Sequence, residues 1–173
     1  MDFDFSDEQL QLREAVGRWV EKAYTFDKRR AIVKAGGFDA QAYQELAQLG
    51  LVGLAISEEL GGLGMGAVEA MLVLEELGKG LVIEPVAAST VVGQVLSHYA
   101  SPEMQAQLLP QLAGAEKLAV LAHTERSARY QLGRCETTAE PTANAWVLNG
   151  LKNMVPFASF ADAFLVPATI NGT

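Results

Sequence analysis

Glycines crowd one short stretch of the sequence, at positions 61, 62, 64 and 66. Such a stretch can cradle a phosphate, because backbone N–H groups approach an anion closely where no Cβ intervenes. A nucleotide-binding P-loop also needs a preceding strand and a Gly-Lys-Ser or Gly-Lys-Thr ending, and neither accompanies this stretch. The spacing therefore predicts a tight structural turn inside a loop from Leu51 to Gly66.

Other reactive side chains lack partners at a useful spacing. Glu75 and Glu76 are adjacent carboxylates on a predicted helix, where a solvated or salt-bridged edge is favoured over acid–base catalysis. Cys135 is the single cysteine, which excludes an internal disulfide and a cysteine-based metal site, and we expect it to be a small core residue. His98 has no partner at metal-ligand spacing, so no metal site is predicted.

His123 and Thr124 follow a short apolar run, and Arg126 and Arg129 come just after them. An imidazole and a hydroxyl at a strand end could face a ligand, although a single histidine there is more often structural. The arginines could bind a phosphate through charge-assisted hydrogen bonds, but surface arginines are also common. The residues alone leave these alternatives open.

Helical periodicity dominates the first two-thirds of the sequence. Ser6 followed by Gln9 predicts a capping box, and apolar residues then recur along one helical face. Further helices are predicted at roughly 26–35, 39–49, 67–77, 86–99 and 102–112. The fourth of these six is apolar almost all round, which is typical of a mostly buried helix. Residues 1–115 are therefore predicted to form an all-α domain of about six helices.

After Lys117 the sequence changes to short runs of apolar and β-branched residues. Strands are predicted within residues 118–121, 135–139, 145–148 and 163–170. Asn149-Gly150 predicts a hairpin turn, because a type I′ turn needs positive φ at both central positions. Residues 116–173 are therefore predicted to form an incomplete antiparallel β-domain, which makes the chain an α+β protein with exposed sheet edges that favour oligomerisation.

Charge and hydropathy exclude several classes of protein. The formal net charge of -8 disfavours nucleic acid as a partner, since an acidic surface repels a phosphate backbone. The acidic start of the sequence lacks the features of a signal peptide, and no apolar stretch is long enough to span a membrane. With a single cysteine, these features predict a cytoplasmic protein.

Three signatures, in this order, resemble the acyl-CoA dehydrogenase family. Residues 57–64 and the helix that follows them resemble the family's Pro-Glu-x-x-Gly-Gly-x-Gly loop and the helix after it. Residues 121–125, Leu-Ala-His-Thr-Glu, are similar to the family's Thr-Glu-Pro segment at the start of its β-domain. Residues 146–162 are similar to its Leu-Asn-Gly-x-Lys segment and the Ala-Asp beyond it. Within the family, residues 122–132 look like the branch that includes the small subunit of pimeloyl-CoA dehydrogenase.

The resemblance implies an FAD-dependent enzyme that oxidises the Cα–Cβ bond of an acyl-CoA and passes electrons to a partner protein. It also implies a homo- or hetero-oligomer, with the helix from Val86 to Tyr99 beside the acyl chain. The family's catalytic glutamate lies in a second helical domain that is absent from this chain, so we expect a fragment without a catalytic residue. Flavin contacts are implied for Leu121, His123, Thr124, Arg129 and Tyr130, and on the other side of the ring for Met154, Val155 and Pro156.

Two departures from the family pattern open a second hypothesis. Residues 126–131 stand where the family has Pro and then Gly-Ser-Asp, and Arg126 or Arg129 could replace the usual pyrophosphate contact with a charge-assisted hydrogen bond. Residues 154–156 replace the usual Trp-Ile-Thr, which removes a stacking indole and a hydroxyl. The alternative to an enzyme fragment is a non-catalytic subunit that completes the interface of a hetero-oligomeric dehydrogenase.

Overall fold

The computed structural model describes residues 4–129 and 131–170. The chain divides into two compact units, Met1–Lys117 and Leu118–Thr173. The first is built from α-helices and the second from short strands and turns, which confirms the predicted α+β class.

Residues 4–117 of the first unit contain six α-helices. They are Asp7–Ala23 (α1), Phe26–Lys34 (α2), Ala40–Gln48 (α3), Ala67–Lys79 (α4), Val86–Tyr99 (α5) and Pro102–Ala113 (α6), with a 3-10 turn at Glu58–Leu60. The predicted capping box begins α1: Ser6 Oγ accepts from the Gln9 amide at 3.2 Å, and Gln9 Oε1 accepts from the Ser6 amide at 3.0 Å. Within the described residues, no helix is both long and apolar enough to cross a membrane.

Apolar faces of these helices form the core of the first unit. α1 packs against α4, and α5 packs against α6. These faces bury Val16, Leu72, Val92 and Leu109 almost completely. Because full burial of one such side chain contributes about 1.5–3 kcal/mol, the apolar faces hold the helices together.

Helix α4 is less buried than its composition predicts. Leu72 and Leu77 are buried, whereas Val68 and Met71 are 45% and 50% exposed. The main neighbour of α4 within its unit is α1, which covers one face. Composition shows that a helix is apolar on all sides, but it does not show how many neighbouring elements cover it, and the predicted burial is therefore wrong for one face.

The glycine-rich stretch is a compact loop. Gly61 and Gly64 have φ of 84° and 62°, a region that favours glycine. The amides of residues 61–65 all donate to carbonyl oxygens of residues 53–58, at 2.7 to 3.3 Å. Because these amides are already used within the loop, they are not available to a phosphate, and the predicted structural turn is confirmed.

One carboxylate lies in the interior of the helical unit. Glu84, which precedes α5 by two residues, is 5% exposed, and neither carboxylate oxygen has a hydrogen-bond partner within the described part of the chain. Burial raises the pKa of Glu84, because the ionised carboxylate loses its hydration in the interior. Burial and the proximity of Glu84 also raise the pKa of Tyr24.

We expect Glu84→Gln to stabilise the chain at high pH. Because the folded state holds the Glu84 proton more tightly than the unfolded state, the free energy of unfolding falls as pH rises from the ordinary glutamate pKa of 4.5 through the raised pKa. Glutamine does not ionise, so the variant should lack this fall and gain about 1 kcal/mol or more above the raised pKa. Denaturant unfolding at a series of pH values measures this gain, with exposed Glu59→Gln as control. Identical pH dependence in Glu84→Gln and the original chain would contradict the expectation.

Among the described residues of the second unit, four short strands form two sheets. They are Ala119–Leu121 (β1), Thr138–Pro141 (β2), Trp146–Asn149 (β3) and Ala163–Leu165 (β4). β2 and β3 pair antiparallel, as predicted, whereas β1 and β4 pair in parallel with Ala119 opposite Ala163. Asp162 begins this parallel pair, since its Oδ2 accepts from the Leu118 amide at 2.9 Å. No α-helix occurs within residues 118–129 and 131–170.

The predicted hairpin turn at Asn149-Gly150 is wrong. The turn between β2 and β3 lies at residues 142–145, where the Thr142 amide donates to the Ala145 carbonyl at 2.7 Å. Asn149 instead ends β3, opposite Thr138. A Cβ at Gly150 would collide with the side chain and backbone of Thr137. Glycine is therefore needed here for close approach of two backbones, a role that the dipeptide does not distinguish from a turn.

Candidate functional site

Residues 121–126 and residues 151–156 lie side by side in the second unit, and we call them the site segments. The first begins at the end of β1 and the second follows β3. The Asn153 amide donates to the Thr124 carbonyl oxygen at 2.9 Å, which joins the segments near their centres. Two stretches about thirty residues apart in the sequence thus form one surface.

A buried ion pair lies behind this junction. Glu125 is 3% exposed, and its carboxylate accepts from the Glu136 amide at 2.6 Å, the Thr137 amide at 2.9 Å and the Thr137 hydroxyl at 2.6 Å. Lys152 Nζ lies 2.7 Å from Glu125 Oε1, and the lysine side chain is only 9% exposed. The Lys152 ammonium, with the Thr137 hydroxyl and the Glu136 amide, holds the pKa of the Glu125 carboxyl well below its ordinary value.

Cys135 lies next to the ion pair. Lys152 Nζ donates to Cys135 Sγ at 3.4 Å, and the thiol donates to the Pro167 carbonyl oxygen at 3.3 Å. The residue is half-buried and has polar neighbours. The predicted role as a small core residue therefore does not describe its surroundings.

Two neighbouring side chains of the first site segment, those of Thr124 and His123, differ in their contacts. Thr124 is exposed, and its hydroxyl makes no hydrogen bond to any residue within 4–129 or 131–170. His123 is half-buried, with Nε2 3.3 Å from the Leu132 carbonyl oxygen. Leu121 is half-buried as the last residue of β1. Thr124 is thus available to a ligand, whereas His123 already has a partner.

The arginine that ends this segment, Arg126, and the arginine three residues beyond it, Arg129, are both exposed. Arg129 has φ of 46°, and its amide donates to the Glu125 carbonyl oxygen at 3.3 Å. Arg126 lines a cleft of about 570 Å³ with Ser127, Thr138 and Gly150. Neither guanidinium has a carboxylate partner in the described part of the chain. The predicted contact of Tyr130 lies outside the described residues.

Three predicted contact residues follow Asn153 directly. Met154 is 86% exposed and has φ of 51°, which is uncommon for a residue other than glycine. Val155 is half-buried and Pro156 is exposed. The second site segment therefore offers a flexible thioether and a ring without an N–H group.

The sequence signatures contain Glu125 and Lys152 but do not indicate that the two side chains pair. The available signal is that the second and third signatures carry charges of opposite sign, at Glu125 and Lys152. Pairing also needs the tertiary contact between the site segments, which the sequence does not show.

The remaining candidate side chains have structural partners. Glu75 and Glu76 pair with Lys79 at 3.0 and 2.6 Å, which confirms the salt-bridged helix edge. His98 Nδ1 lies 2.7 Å from the Gln94 carbonyl oxygen. Among the described residues, no group of three or more His, Cys, Asp or Glu side chains is arranged to hold a metal ion.

A family comparison identifies the first unit. Residues 6–116 match the family model described as acyl-CoA dehydrogenase, N-terminal domain. The matched region includes helices α1 to α6. Because the match covers more than half of the chain, the chain belongs to the acyl-CoA dehydrogenase family.

Curated relatives extend the similarity along nearly the whole chain. The chain is 28% identical to benzylmalonyl-CoA dehydrogenase of Aromatoleum aromaticum over 169 residues, covering 96% of the chain and 45% of that protein. It is 30% identical to probable acyl-CoA dehydrogenase YngJ of Bacillus subtilis over 171 residues, covering 97% and 45%. The chain therefore spans less than half the length of these relatives.

Solved structures show the same fold. A structure of the ChsE4–ChsE5 complex from Mycobacterium tuberculosis matches with a TM-score of 0.86 and 28% identity, covering 99% of this chain and 46% of that one. A crystal structure of an FAD-dependent dehydrogenase matches with a TM-score of 0.82 and 29% identity, covering 99% and 44%. Both matches agree with the family assignment.

Proposed function

We propose that this chain is the front part of an FAD-dependent acyl-CoA dehydrogenase that forms a double bond between Cα and Cβ of an acyl-CoA. The observation that carries the proposal is the hydrogen bond between Asn153 and Thr124, because it places the two signatures with implied flavin contacts side by side. Family membership and the similarity to an FAD-dependent dehydrogenase support FAD as the cofactor.

The site segments fit a flavin in most respects. The exposed Thr124 hydroxyl can hydrogen-bond the polar edge of the ring, and the Met154 thioether can pack against an aromatic face. Leu121 and Val155 add apolar contact. Pro156 supplies neither an N–H nor a hydroxyl, so the second segment offers fewer polar contacts than the family's Trp-Ile-Thr.

The residues of this chain would bind and orient the flavin, and they would not remove a proton from the substrate. A bound flavin supplies the two-electron acceptor for the hydride that leaves the β-carbon. Arg126 and Arg129 are exposed and can attract phosphate groups through charge-assisted hydrogen bonds. No described residue is proposed as the catalytic base, which the family resemblance assigns to another domain.

The names of similar proteins support more specific proposals for the substrate and the subunit composition. The names of benzylmalonyl-CoA dehydrogenase and glutaryl-CoA dehydrogenase support a dicarboxylyl-CoA such as pimeloyl-CoA as substrate. The ChsE4–ChsE5 complex supports assembly from two kinds of subunit. Helix α5 would border the acyl chain, an electron-transfer protein would reoxidise the flavin, and the protein would act in the cytoplasm.

A non-catalytic partner subunit is the alternative. Trp146 and Leu148 on β3 are 56% and 52% exposed, and exposed apolar patches favour protein interfaces. Met154 and Pro156 also stand where the family has an indole and a hydroxyl. Under this alternative, the chain would shape an interface while another subunit supplied the flavin contacts.

Anaerobic reduction by acyl-CoA distinguishes the two functions. The whole protein that contains this chain would be purified alone and with its partner subunit, and the visible flavin band would be followed after addition of a dicarboxylyl-CoA or a straight-chain acyl-CoA. Bleaching that is weakened by Thr124→Val supports the enzyme. Bleaching that requires the partner and is unaffected by Thr124→Val supports the non-catalytic subunit.

A further inference from the structure

We infer that the buried Glu125–Lys152 ion pair positions the two site segments for flavin binding. The inference rests on the proposed function, because it concerns the same site. Both side chains are buried, so they act through their exposed neighbours Thr124 and Met154 and are positioning residues.

Burial separates this pair from a surface ion pair in the same unit. Arg134 and Glu136 approach to 2.6 Å, but their side chains are 49% and 54% exposed. Glu125 and Lys152 approach to 2.7 Å with side chains 3% and 9% exposed. Exposed pairs are screened by water and contribute little, whereas a buried charge that loses its partner is strongly unfavourable.

The ion pair is one residue away from the backbone bond that joins the segments. Glu125 directly follows Thr124, whose carbonyl oxygen accepts from Asn153, and Lys152 directly precedes Asn153. The ion pair and the backbone hydrogen bond therefore join the same two segments at adjacent positions. Movement of Lys152 away from Glu125 would carry the Asn153 amide away from Thr124.

The Glu125 carboxylate also fixes a third segment. It accepts from the amides of Glu136 and Thr137 and from the Thr137 hydroxyl, so it is fully hydrogen-bonded while it faces Lys152. Hydrogen bonds to a fixed carboxylate are directional, whereas apolar contacts allow segments to slide. This network therefore fixes the distance between the segment that carries Thr124 and the segment that carries Met154.

Two measurements on the full chain test the inference. Lys152→Met keeps the aliphatic stem but removes the ammonium, and we expect amide exchange at Asn153 to rise about tenfold or more without flavin. We expect the FAD dissociation constant to rise by about the same factor. Lys152→Arg keeps the charge, so this variant should retain part of the Asn153 amide protection and part of the FAD affinity. Arg134→Met, which breaks the exposed ion pair, should change neither amide exchange at Asn153 nor the FAD dissociation constant.

A double variant covers the case in which Lys152→Met fails to fold. Glu125→Gln with Lys152→Met removes both charges, so no unpaired charge remains buried. If the folded double variant retains the original Asn153 protection and FAD affinity, the inference is overturned. If the original chain binds no FAD, the proposed function fails for this chain. Amide exchange at Asn153 in Lys152→Met would still show whether the ion pair positions the segments.

Discussion

Gly62→Ala should destabilise the helical unit by about 3 kcal/mol or more, at the upper end of overpacking costs. A Cβ at this position would collide with the carbonyl oxygens of Gly53 and Ile56. Those carbonyls already accept from the amides of Leu63 and Gly64, so they cannot move without breaking the hydrogen bonds of the loop. Denaturant unfolding followed by helical circular dichroism measures the loss.

Gly78→Ala is the matched control for this expectation. Gly78 lies inside α4, and a Cβ there meets no atom within 4 Å. Alanine is favoured over glycine in a helix by about 1 kcal/mol, so this variant should be slightly more stable. Equal stabilities of Gly62→Ala and Gly78→Ala would show that the loop does not depend on close backbone approach.

Gly150→Ala should destabilise the second unit by about 1–3 kcal/mol and weaken flavin binding. The added methyl group would collide with Thr137, whose hydroxyl and amide both donate to Glu125. Displacement of Thr137 therefore disturbs the ion pair as well as the pairing of β2 with β3. Amide exchange at Thr137, together with FAD titration, measures both effects.

Gly133→Ala is the control within the same unit. A Cβ at Gly133 meets no atom within 4 Å, and its φ is not in the left-handed region. We expect its amide exchange and FAD affinity to match those of the original chain. A loss of equal size in the two variants would mean that the unit responds to any added methyl group, and that the contact with Thr137 has no special role.

The helices could be predicted because their signals are local. Ser6 and Gln9 lie within one turn of each other, so the sequence contains the whole capping box that begins α1. The exposed face of α4 could not be predicted in the same way. Its burial depends on how many other elements pack against it, which is a property of the tertiary structure.

The site could be predicted only in outline. The family signatures identify Thr124 and the residues after Asn153, but the pairing of Glu125 with Lys152 depends on a contact between segments distant in sequence. Asn149-Gly150 was ambiguous for a related reason. The same dipeptide suits a tight turn and a close backbone approach, and only the position of Thr137 decides between them.

Titration of the purified chain with FAD, followed by visible absorbance, tests the central claim most directly. We expect saturable changes in the flavin bands, and a weaker affinity for Thr124→Val than for Ser159→Ala, an exposed hydroxyl elsewhere in the second unit. That result would support a flavin site built from residues 121–126 and 151–156. Flavin bands that stay unchanged in the presence of the folded chain would contradict the claim that these residues hold the cofactor.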